Sequence, residues 1–109
     1  MSDRDEAVRA RRRQEALESL GLERRREGDL RTRLDDALRD LEAWRADESA
    51  AARMDPEDVE TLRRAGFVQG QPPEDARIRL ESQIADFEAE LAECKRRQRA
   101  LERYAEALG

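Results

Sequence analysis

The chain has 109 residues, 38% of them hydrophobic and 45% charged, and its 22 basic and 27 acidic side chains leave a net charge of −5. With no histidine, histidine-based general acid–base chemistry, serine triads and most zinc or di-iron sites are excluded, and the lone Cys94 excludes an intrachain disulfide. Seventeen alanines further thin the apolar complement, so the expectation is one small domain with a thin helix–helix core.

Residues 1–12 open the chain as a basic overhang expected to fray, and a long helix is expected over 13–52. The stretch from Asp3 to Ala52 holds no proline, only two glycines, and mostly strong helix formers. Its apolar stripe runs Leu30, Leu34, Ala37, Leu41, Trp44, with Leu38 flanking it and Leu17 and Leu20 forming an earlier patch. Between the patches Gly21 and Gly28 bracket an almost wholly charged segment, which predicts a kink or local fraying there. Charges of both signs at helical spacing, such as Asp35 with Arg39 and Glu93 with Arg97, fit long solvent-facing helices.

Asp55-Pro56-Glu57-Asp58 is a helix start: an Asp N-cap, proline at the first position, then acids facing the positive end of the helix dipole. A short helix over 55–66 follows, then a turn over 67–73 containing Pro72 and Pro73. A third helix is expected over 74–108. In it Leu80, Ile84, Phe87, Leu91, Cys94, Gln98, Leu101, Ala105 and Leu108 recur at alternating steps of four and three, a heptad seam for packing against another helix.

Matched helix lengths predict an all-α antiparallel helical hairpin with the short helix at its bend, assembling as a homodimer, a four-helix bundle or part of a larger complex. Trp44 then falls near Leu80, Leu34 near Leu91, Leu30 near Cys94 and Leu20 near Ala105, while Val59, Leu62, Phe67 and Ile78 cover the Trp44 indole. Cys94 reads as an apolar filler, and Gln98, a seam residue near Glu23 or Glu27 of the kind that can fix register, reads rather as lying at an end open to water, since Leu22 to Glu27 offers little apolar surface.

Three surfaces bear on function. At the bend Trp44, Leu62, Phe67 and Val68 are candidate anchors for a protein partner, with Asp55, Glu57 and Asp58 as steering charge; residues 40–60 carry a local charge of −6. An acidic tip on a helical hairpin resembles, in shape and tip charge, factors that insert a coiled coil into the secondary channel of bacterial RNA polymerase. Those factors also carry a second globular domain or a zinc finger, for which this chain has no residues. At the other end Arg9, Arg11, Arg12, Arg13, Arg24, Arg25 and Arg26 face Arg96, Arg97, Arg99 and Arg103, a surface that a nucleic-acid backbone would fit, although acids are interleaved and Tyr104 is the only aromatic nearby.

The expectation is therefore a non-catalytic interaction module: an adaptor, a regulator or an accessory subunit of a larger bacterial or phage complex, with no cofactor, metal or small-molecule substrate. The alternative is a transcription-linked regulator using the acidic bend on polymerase or the arginine-rich end on DNA. Twenty-one arginines against one lysine point to a GC-rich genome. No apolar run approaches the ~20 residues of a membrane helix. That and the lone cysteine lead to an expected cytoplasmic location.

Overall fold

A computed structural model describes residues 2–67 and 74–109. Among these the regular structure is entirely helical, in the order α1 (Asp3–Arg53), α2 (Pro56–Arg64) and α3 (Glu74–Leu108). None of the helices is long and apolar enough to cross a membrane.

Helix α1 starts earlier than its apolar stripe. Ser2 caps it, its carbonyl and hydroxyl both accepting from the Asp5 N–H at 3.0 and 3.4 Å, and Asp3, Asp5 and Glu6 lie in the first turn. Residues 3–12 are thus helical, though every side chain among them is exposed. Helical structure also continues unbroken through the Gly21–Gly28 stretch. Local side-chain bonds accompany it: Arg31 reaches Glu27 at 3.4 Å, and the Thr32 hydroxyl donates to the Gly28 carbonyl at 3.1 Å. Further along, Arg39 pairs with Asp36 at 3.9 Å rather than with Asp35. Such exposed pairs contribute a few tenths of a kcal/mol each.

Helix α2 is delimited by local chemistry at both ends. Asp55 adopts an extended backbone and its carboxylate accepts from the Glu57 N–H at 3.1 Å, with Pro56 at the first helical position. At the other end Gly66 takes φ +80, the Phe67 N–H reaches back to the Leu62 carbonyl at 2.9 Å, and the Gly66 N–H to that of Arg63 at 3.1 Å.

Two compact units organise the packing. The first comprises Met1–Thr32 with Phe87–Gly109, the second Arg33–Asp86. In the first, Ala16, Leu20 and Leu30 of α1 and Cys94 and Ala105 of α3 are buried; in the second, Ala37, Leu41 and Ile84 are. Three alanines and a cysteine among the eight buried hydrophobic residues of the described part give the thin core that the composition implies. Leu17 and Leu38 lie beside the buried stripe and are exposed, because α1 turns Ala16 and Ala37 inward in their place.

Candidate functional site

In the second unit the acidic corner rests on α2. Asp55 is occupied as the N-cap, and Glu57 and Asp58 follow it in the first turn, where carboxylates are favoured by the dipole. Glu60 is engaged by Arg63 at 3.0 Å and Arg64 at 3.4 Å, and Glu48 of α1 by Arg77 of α3 at 3.2 Å. An open groove of about 540 Å³ lies here, lined by Ala51, Ala52, Pro56 and Val59 between Glu48 and the Glu60–Arg63 pair.

The apolar anchors separate into two kinds. Trp44 and Leu62 are half-buried, whereas Phe67 is 80% exposed and Ile78 56%. Phe67 and Ile78 thus keep most of their own surface in solvent. The backbone bonds of the α2 C-cap hold Phe67 in place without burying its ring. Val68 lies outside the described residues.

In the first unit part of the arginine-rich surface is paired with acids. Arg12 pairs with Glu15 at 3.6 Å, Arg24 with Glu102 at 3.5 Å and Arg26 with Glu90 at 3.9 Å. Arg96 binds Glu93 of its own helix, and Arg13 lies beside Gly109. Arg9, Arg11 and Arg25 are exposed.

Sequence reasoning missed the cluster at the middle of this unit. Cys94, with 0% exposure, points its Sγ at the Glu23 carbonyl (3.1 Å) and at Glu23 Oε2 (3.2 Å), while the Gln98 amide donates to the sulfur at 3.6 Å. The Arg97 guanidinium grips both oxygens of the same carboxylate, at 3.0 Å from Nε and 3.3 Å from the second nitrogen. Cys94 therefore meets Glu23 and not Leu30. Gln98 sits at a closed, part-buried contact and not at an open end.

These contacts set the local electrostatics. The Arg97 bonds, followed by the Cys94 bond, hold the Glu23 carboxyl below its ordinary range. Burial, then the neighbouring carboxylate, pushes the Cys94 thiol up. Glu23 in turn raises Arg97, which stays charged. A thiol so placed is a poor nucleophile. The missed signal was positional: counting from Ala16 and Leu20, the alternation of fours and threes continues through Glu23 and Glu27 to Leu30, all of them buried or half-buried.

Among the described residues no group of three His, Cys, Asp or Glu side chains is placed to hold a metal ion. In comparisons with known proteins the chain matches no family model, no curated protein and no solved structure.

Proposed function

We propose that the protein is a non-catalytic interaction module in which α1 and α3 form an antiparallel helical hairpin and the α2 corner presents the recognition surface. The observation that carries this reading is Phe67, a large aromatic ring with 80% of its surface exposed, fixed by backbone hydrogen bonds immediately after α2. An aromatic anchor held rigid before binding loses little conformational freedom when a partner covers it. Ile78 and the groove beside Val59 supply further apolar surface in the same unit, and Glu57 and Asp58 supply steering charge. A core with three alanines and one cysteine among its eight buried residues further favours a chain that gains stability from a partner or from a second copy of itself.

A transcription-linked role has less support. Asp55 is committed to capping, and Arg24 and Arg26 have acidic partners on α3.

The test is affinity capture after crosslinking in a nuclease-treated bacterial lysate of high GC content, comparing wild type with Phe67→Ser and with the double variant Glu57→Lys/Asp58→Lys. Both variants keep Asp55 and should retain the wild-type circular dichroism. A partner that wild type recovers and Phe67→Ser loses supports the corner as the recognition surface. Equal recovery by all three, or recovery of nothing, overturns it. Sedimentation of the purified chain decides self-association separately.

A further inference from the structure

Two helical seams with a seven-residue repeat can pair in more than one register, because sliding one helix by a heptad again brings seam against seam. In the first unit the α1 seam is Ala16, Leu20, Glu23, Glu27, Leu30, and the α3 seam is Phe87, Leu91, Cys94, Gln98, Leu101, Ala105, Leu108. Helix lengths alone favour Leu30 opposite Cys94. The observed contact sets Glu23, one heptad earlier, against the Cys94 sulfur at 3.1 Å. Apolar burial does little to separate the two arrangements, since each places one charged or polar side chain after another among leucines and alanines.

Glu27 faces Leu91 in the observed register and Gln98 after the slip, but keeps its pair with Arg31 of its own helix in both, so what separates them is the fate of Glu23. In the observed register its carboxylate is 20% exposed, bound through both oxygens by Arg97, and faces the thiol of Cys94. Slipped by one heptad it would face Leu101, a carboxylate against an apolar side chain, while Cys94 exchanged its oxygen partners for Leu30. A part-buried charge stripped of its partners is costly, whereas the same charge fully bonded is tolerated.

We propose that Glu23, Arg97 and Cys94 form a register lock, a polar layer that admits one pairing of α1 and α3 in this unit and rejects the pairing one heptad away. Glu23 is the key of the lock, Arg97 its charge partner, and Cys94 the side chain small enough to let the Glu23 backbone approach.

Cys94 makes the lock directly testable in the full-length chain. A second cysteine introduced as Leu30→Cys lies about 10 Å along the axis from Cys94 in the observed register, beyond disulfide reach, but directly opposite it after a one-heptad slip. Mild oxidation of dilute Leu30→Cys protein should give almost no intramolecular disulfide. Adding Glu23→Leu should raise its yield at least tenfold. A reporter of the observed register, Leu30→Cys with Phe87→Cys in a Cys94→Ser background, should lose crosslinking when Glu23→Leu is added. If Glu23→Leu does not fold, Arg97→Leu, which breaks the same ion pair from the other helix, is used with the same two reporters. Crosslinking of Leu30→Cys to Cys94 with Glu23 and Arg97 intact overturns the proposal. So does an unchanged disulfide pattern in whichever of the two substituted proteins folds.

Discussion

Each of the two units draws on both α1 and α3, but the two fill their interiors differently. The first carries fourteen basic and thirteen acidic residues, a net +1, while the second carries eight basic and fourteen acidic, a net −6. Charge in the first unit is directed inward and across: α1 and α3 exchange the Arg24–Glu102, Arg26–Glu90 and Arg97–Glu23 pairs, and the last of these enters the seam itself. In the second unit Ala37, Leu41 and Ile84 form an apolar core, and its surplus of acid is left for solvent or a partner. Polar seam layers confer pairing specificity at some cost in stability, and apolar ones confer stability with little specificity. On the two proposals made above, the first unit would dictate alignment, and the second would offer charge and apolar surface for recognition.

The largest expected effects test the apolar side of this contrast. Leu41→Ala in the second unit and Leu30→Ala in the first each remove a nearly fully buried leucine from a thin core, and each should cost about 2–5 kcal/mol. Chemical denaturation followed by circular dichroism measures the sum. Hydrogen exchange measures where it falls, and protection should drop first in the unit that carries the substitution. Uniform loss of protection from either change would mean that the two units open as one.

Next in size is the polar layer. Arg97→Ala removes the guanidinium that binds both oxygens of the Glu23 carboxylate, and should lower stability by less than either leucine truncation. The same cluster makes the first unit sensitive to pH in both directions. Because the folded chain holds the Glu23 carboxyl below its ordinary value, its contribution is present at neutral pH and is lost as pH falls from about 4.5 downward through the folded value. Because folding raises the Cys94 thiol, its contribution is present below the ordinary value and is lost as pH rises above about 9.0. Glu23→Gln should flatten the acid limb and Cys94→Ser the alkaline limb of the stability profile. An acid limb that survives Glu23→Gln unchanged would assign it to other carboxylates.

Much of this architecture was legible from local chemistry. Every seam position expected on α3, from Leu80 to Leu108, is buried or half-buried, the Asp55-Pro56 start lies where capping rules put it, and α3 begins at Glu74, directly after the Pro72-Pro73 pair. Capping is legible because it depends on a few adjacent residues. Pairing register was not, since a heptad repeat looks the same after sliding seven residues. Glu23 and Glu27 were discounted because they are charged, although their spacing is that of the seam; only the contact with Arg97 and Cys94 shows why a carboxylate can stand there. The candidate recognition site was legible in composition and misread in burial. Phe67 and Ile78 are apolar, but backbone bonds rather than packing fix the end of α2, so nothing compels Phe67 to go inside.

The smallest effects set the glycines of the two units against each other, and they differ in sign. Gly21 and Gly28 lie within the continuous α1, and a Cβ added at either meets no atom within 4 Å. Gly21→Ala and Gly28→Ala should each stabilise by about 0.5–1 kcal/mol, since alanine removes backbone freedom from the unfolded chain without strain in the folded helix. Gly66 also has open space around it, yet its φ of +80 is one that a side chain disfavours, so Gly66→Ala should destabilise by about 1 kcal/mol. Three identical substitutions thus separate conformational strain from crowding, because none of the sites is crowded and only one is strained. Thermal melts of the three variants decide it. A loss of stability at Gly21 or Gly28 would show that α1 draws on glycine freedom between its apolar patches after all.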